Sequence, residues 1–250
     1  MNKHKVKFIK IFKMKARRSI VISFVIFVVL IFLFYTFKFA KHYPANNDLE
    51  FQKGFFGVTF STKFCDELGL DWKKTYLAIL DDLKVKEIRL PIYWDEIEKA
   101  DGVYDFSDYD FMISEGSKRG VKFIANIGWR LPRWPECHAP KWVEKRSLTV
   151  TQDRTIVMIG EVVNHYKNNK AIIAWQVENE PFLDAFGVCP PSNAGFFERE
   201  LEVVRNKDSR PIVVSATGEL SWWRKEALYG DIFGSTIYRV VWGNWSGYVR

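Results

Sequence analysis

The segment AIIAWQVENEPF, residues 171 to 182, opens as an apolar run and closes on Glu178, Asn179, Glu180 and Pro181. That is the pattern of a buried strand with its polar groups crowded at one end. In a barrel of parallel strands the C-terminal strand ends form the mouth of the active site, so carboxylates there are placed for catalytic work rather than for solubility. Strict alternation along a strand turns Asn179 away from Glu180; presenting both inward calls for a local bulge, a device common beside active sites. Pro181 has no N–H to give and is expected to end the ladder. Glu178 reads as structural, or as a support behind Glu180.

Other chemistries find little in the chain. After the first strand stands FGVTFSTKFC, where a dinucleotide site would need G-x-G-x-x-G. Cys137 and the adjacent His138 are too few ligands for a metal centre, and neither a metal nor a cofactor is expected. Three cysteines, Cys65, Cys137 and Cys189, permit at most one internal disulfide. Cys137 with Cys189 is one arrangement, since both fall in loops expected side by side; simply buried or unligated thiols are the equal alternative.

The elements that must position these residues follow from periodicity. Strands are expected at Phe56 to Phe60, Glu87 to Ile92, Val121 to Ile127, Ala171 to Val177, Pro211 to Ala216 and Ile232 to Tyr238. Helices lie between them, among them Trp72 to Leu83 and Arg154 to Tyr166. AIIAW and PIVVSA are apolar on both faces, which suits parallel strands buried between a core and a helix layer. This is an α/β chain with about six βα units, read as part of a (β/α)8 TIM barrel; an open doubly wound sheet is the other arrangement. An eight-fold barrel takes about 250 residues. The exported part is too short for that, and VVWGNWSGYVR reads as a loop after a strand, so the fold is expected to continue past Arg250.

Charge and hydropathy organise the N-terminus. The net charge of +7 comes from residues 1 to 18, which hold Lys3, Lys5, Lys7, Lys10, Lys13, Lys15, Arg17 and Arg18 and no acid. The remainder is close to neutral, so no nucleic-acid partner is expected. Residues 20 to 37 (IVISFVIFVVLIFLFYTF) carry no charge and would span about 27 Å as a helix, close to the hydrocarbon thickness. The layout predicts a basic cytoplasmic tail over 1–18, a transmembrane signal anchor over 19–38, a linker over 39–52 and the barrel domain over 53–250. By the positive-inside rule that domain lies on the extracytoplasmic side of the cell membrane. A cleaved signal peptide is the alternative, weakened by the length of the run and by a poor A-x-A site.

The Asn-Glu-Pro ending of the fourth strand resembles that of the clan A glycoside hydrolases, of the cellulase-like family 5 and β-galactosidase-like family 42 type. IRLPIYW (88 to 94) is similar to the second strand of those enzymes, WDEIEKADGVYDFSDYD (94 to 110) to their W-x-x-I-E…G-x-Y-D-F…D stretch, and IANIGWRLPRWP to the third strand and its loop. The resemblance implies that Glu180 is the general acid/base and that Asn179 binds the sugar 2-hydroxyl. It implies that Arg89 orients the nucleophilic carboxylate and that Tyr238 hydrogen-bonds it. That nucleophile is a glutamate on a seventh strand, which is expected to lie beyond Arg250. Glu219 is the nearest substitute on the same face, but it matches no motif position and reads better as a solvated helix-start residue.

A retaining enzyme of this type protonates a poor leaving group and captures an oxocarbenium-like centre with two carboxyls about 5 to 5.5 Å apart. Trp94, Trp129, Trp134, Trp142, Trp222 and Trp242 fall at or after strand ends, where flat faces would stack on pyranose rings of a β-linked glycan. Trp72 and Trp175 read as packing, His138 as a substrate contact and His165 as surface. The function implied is a membrane-anchored retaining glycoside hydrolase cleaving β-glycosidic bonds. A non-catalytic surface glycan-binding protein without the nucleophile is one alternative, and a membrane-tethered structural partner is another.

Overall fold

The computed structural model describes residues 22–31, 56–218 and 221–237. The chain divides into two compact units at Pro44 and Ala45. In the first unit residues 22–31 are helical, with exposed apolar side chains such as Phe24 and Phe27. Among the described residues no helix is long and apolar enough to cross a membrane; the rest of the expected anchor, residues 19–21 and 32–38, lies outside them.

The second unit alternates strands and helices. In chain order these are β1 (Val58–Thr59), α1 (Thr62–Glu67), α2 (Trp72–Asp81), β2 (Glu87–Pro91), the short helix α3 (Trp94–Ile97), α4 (Ser107–Lys118), β3 (Lys122–Ile127), α5 (Leu148–Tyr166), β4 (Ile172–Val177), α6 (Ala194–Lys207) and β5 (Ile212–Ala216). A 3₁₀ turn (Glu226–Leu228) and β6 (Ile232–Ser235) follow. The strands form one sheet in the order β1-β2-β3-β4-β5-β6, every pair parallel. A doubly wound sheet reverses its strand order at a switch point. This sheet never reverses, so each crossover steps the same way round and the sheet is an arc of a βα barrel.

Local sequence accounts for the element ends. Asp71, Ser147 and Asn193 each accept a backbone N–H from the first turn of α2, α5 and α6. The Ser147 cap starts α5 six residues before the expected Arg154. Strands β4 and β5 are buried on both faces, as their apolar runs require. β1 is only two residues long, and β6 stops at Ser235. The core gathers Ile88, Leu90, Phe123, Trp175, Ile212 and Val214 against helix residues such as Tyr76, Met112, Ile159 and Val204. Trp72 packs edge-on against Phe111.

Trp94 departs from expectation. It is fully buried instead of facing the mouth. The chain turns into α3 straight after β2, which points the indole inward, where Nε1 donates to Glu98 Oε2 at 2.6 Å and the ring meets Trp142 edge-on. Trp142 in turn donates to the Glu98 carbonyl at 2.8 Å, so this pair is packing and no sugar platform. Cys137 and Cys189 form a disulfide joining the loops after β3 and β4, with Cα atoms 5.3 Å apart, while Cys65 is free and buried.

Candidate active site

β4 ends at Val177, and the turn that follows carries the Glu-Asn-Glu triplet. Glu178 and Glu180 both adopt left-handed backbone, with φ of 58° and 50°. This corrects the expected bulge. The only register shift between β3 and β4 lies at Phe123/Ile124, at the opposite strand end, and the ladder has already stopped before Pro181. Two left-handed residues separated by Asn179 re-aim the side chains instead. Such conformations cost of order 1 to 3 kcal/mol each and persist where the surroundings over-determine them. Here each backbone N–H of the turn has a partner: Glu178 donates to Ile127 O at 2.8 Å, Asn179 to Arg130 O at 2.7 Å, and Glu180 to Ser215 Oγ at 3.1 Å.

Glu180 is 7% exposed. Its Oε1 accepts from Thr236 Oγ1 at 2.8 Å, a residue just past β6. It lines a cavity of about 240 Å³ together with Phe182, Thr217, Trp222, Lys225 and Glu226. Trp222 is almost fully exposed there, whereas Glu226 is buried and accepts from Ser221 Oγ at 2.7 Å.

The Asn179 carboxamide is held at both ends. Its Oδ1 accepts from Arg89 Nη2 at 2.8 Å, and its Nδ2 donates to Glu136 Oε2 at 3.3 Å. Arg89 also donates from Nε to Gln176 Oε1 at 2.7 Å and from Nη2 to Asn126 Oδ1 at 3.0 Å. β2 therefore reaches across β3 to the end of β4, and the orientation of the amide is set. Glu136 is itself ion-paired with Arg130, at 3.3 Å in a setting where both side chains are 7% exposed. Burial pushes the Glu136 carboxyl up, and the Arg130 guanidinium opposes that shift.

The remaining expected residues separate into several groups. His138 is buried, not a substrate contact. Its Nε2 lies 3.1 Å from the Arg133 carbonyl and its ring packs edge-on against Tyr93. Desolvation drives its pKa down to about 4, so the ring is neutral at physiological pH. Trp129 is half-buried against the core. Trp134 is 58% exposed and meets Phe186 edge-on at 5.8 Å, in the two loops that the disulfide joins. His165 is partly exposed and pairs with Asp110. Tyr238, Trp242 and Glu219 lie outside the described residues. Among the described residues no group of three or more His, Cys, Asp or Glu side chains could hold a metal.

Sequence reasoning missed Glu136, Arg130, Gln176, Ser215 and Thr236. Gln176 had a signal, because it shares the inward phase of β4 and is the only polar residue within that strand. Thr236 and Ser215 follow or end apolar strands and announce nothing by type.

A one-directional parallel arc with a buried Asn-Glu pair at the C-terminal end of its fourth strand is the framework of a barrel-type glycoside hydrolase. The chain belongs to the cellulase family, glycosyl hydrolase family 5, whose sequence pattern matches residues 50–247. It is 24% identical over 174 residues to the β-galactosidase BgaA of Clostridium cellulovorans, covering 61% of this chain and 26% of that protein. Against endo-1,4-β-xylanase C of Phanerodontia chrysosporium the identity is 32% over 118 residues, 44% of this chain and 27% of the xylanase. The chain thus spans about a quarter of the length of these relatives. In fold it is similar to the β-galactosidase of Rahnella sp. R3, with a TM-score of 0.58 at 11% identity over 78% of this chain and 41% of that one.

Proposed function

We propose that the protein hydrolyses β-glycosidic bonds with retention, with Glu180 as general acid and then general base. The observation that carries this reading is the placement of Glu180: buried, at the end of β4, beside an Asn179 whose Oδ1 is already taken by Arg89. With one amide hydrogen engaged by Glu136, the second N–H of Asn179 is left as a donor for a sugar hydroxyl. Glu180 protonates the glycosidic oxygen as the bond breaks, then takes a proton from the water that releases the sugar.

The second carboxylate of this mechanism stands about 5 to 5.5 Å from the first. Among the described carboxylates near Glu180, Glu136 is ion-paired, Glu226 accepts from Ser221 and Glu178 accepts from backbone N–H groups. Each of them is held by its own partners in the turn or the neighbouring loops, and the reading assigns the nucleophile to a glutamate on a seventh strand. The same observation favours a second reading, a glycan-binding protein without turnover. Trp134, exposed in the loop after β3, and Trp222, exposed at the cavity that Glu180 lines, are the proposed sugar platforms.

Residues 20–37 are proposed as a single-pass membrane anchor with the basic tail on the cytoplasmic side. The apolar helix at 22–31 and a disulfide suited to an oxidising compartment support this. Alkaline carbonate extraction of membranes tests it: retention in the pellet supports an anchor, release into the supernatant removes it. Tryptophan fluorescence titrated with cello- and manno-oligosaccharides, alongside release of reducing ends, tests the glycan reading. Binding with release supports the hydrolase, binding alone supports the second reading, and neither removes both.

A further inference from the structure

Two buried carboxyl groups behind the turn have no part in the mechanism above. Glu178 lies in the turn itself, and Glu200 projects from α6; they are 5% and 1% exposed. The two carboxyls line one cavity within hydrogen-bonding reach of each other. Two carboxylates cannot make that bond, since neither has a hydrogen to give. No donor from any other residue reaches Oε1 of Glu200. Glu178, by contrast, is the acceptor partner, taking the backbone N–H of Trp129 at 2.7 Å and of Arg130 at 2.5 Å.

The consequence for the site is direct. Glu178 clamps the backbone of Trp129 and Arg130, and the Arg130 carbonyl then accepts the N–H of Asn179. The fit is close, for a Cβ on Gly128 would stand 2.5 Å from Glu178 Oε1. We propose that Glu178 and Glu200 share a single proton, and that this proton holds the turn carrying Asn179 and Glu180 against the loop after β3. Glu178 and Glu200 are therefore positioning residues, and the proposal rests on the glycan reading only for what the turn does.

The charged groups facing the pair are few. Arg130, from the loop after β3, favours the charged form of Glu178 but is itself paired with Glu136. Arg199, from α6, favours the charged form of Glu200 but is paired with Asp153 of α5 at 2.6 Å. Desolvation dominates both, and Glu178 adds its own charge against ionisation of Glu200, which is held well above the usual carboxylate range. The folded protein thus keeps a proton that the unfolded chain releases above 4.5. Stability from the pair is complete below that pH and declines as pH rises toward the folded value.

Melting curves of the wild type and Glu200→Gln from pH 5 to pH 9 test this, because Gln keeps a donor for Glu178 and has no proton to lose. Tm of the variant is expected to gain on the wild type by about 4 °C per pH unit. Cello-oligosaccharide affinity, read by tryptophan fluorescence, is expected to fall at alkaline pH in the wild type and to stay level in Glu200→Gln. Parallel melting and affinity profiles for the two proteins would overturn the proposal. If the variant fails to fold, infrared spectra of the wild type decide: a protonated-carboxyl band at pH 7 supports the shared proton, and its absence overturns it. Failure of the glycan reading shows separately, as no oligosaccharide binding at any pH, and leaves the melting comparison valid.

Discussion

Arg89→Ala is the substitution whose effect can be worked most fully from the geometry. The guanidinium serves three amide oxygens, those of Gln176, Asn126 and Asn179, at 2.7, 3.0 and 2.8 Å. All three acceptors are buried. A hydrogen bond from a charged donor is worth about 1.5 to 3 kcal/mol net, but three made by one group to adjoining partners do not add. The expected loss is about 3 to 5 kcal/mol, the range for breaking a buried charged contact. In a domain of roughly 200 residues that lowers Tm by about 6 to 20 °C. Arg89→Lys replaces a planar fork by a point charge that cannot serve three acceptors in fixed directions, so it should recover less than half of the loss. Urea unfolding followed by tryptophan fluorescence reads both variants. The reasoning fails if Arg89→Ala loses less than about 1 kcal/mol, the worth of one ordinary bond, or if Arg89→Lys matches the wild type.

Two further outcomes rest on separate contacts. Replacing Cys137 and Cys189 by Ser opens a cross-link spanning 52 residues, and the loop-closure relation gives a loss of about 4 kcal/mol; an unchanged urea midpoint, or a wild-type midpoint insensitive to reductant, would contradict it. His138 is held neutral, its pKa lowered from 6.5 to about 4. The unfolded chain then binds a proton that the folded one refuses, so stability present above pH 6.5 is lost as pH falls toward 4, by about 3 kcal/mol in all. His138→Gln should flatten that limb of the stability curve, and an identical acid slope in wild type and variant would refute the assignment.

The strands were legible because burial on both faces leaves an unambiguous apolar run: β4 and β5 begin and end within one residue of the expected limits. The chemistry at the end of β4 was legible for the same reason, as Glu178, Asn179 and Glu180 interrupt such a run. The geometry of the turn was not, because left-handed backbone at a glutamate has no signature in residue type. Trp94 and His138 misled because their types suit a sugar cleft, while their burial depends on a helix and a loop that fold back over them. Glu200 carries no signal by type alone. Its spacing from Phe197, Leu201 and Val204 places it on the buried face, and that phase was the available signal.

The most direct test of the acid/base role is turnover by Glu180→Gln. The glutamine keeps an acceptor for Thr236 and nearly the same volume, but has no acidic proton to give the leaving group. Release of reducing ends from β-linked oligosaccharides should fall by about 10² to 10⁴, while oligosaccharide affinity, read by tryptophan fluorescence, stays within about twofold of the wild type. Turnover by the variant at the wild-type rate would take Glu180 out of the acid role and the account with it.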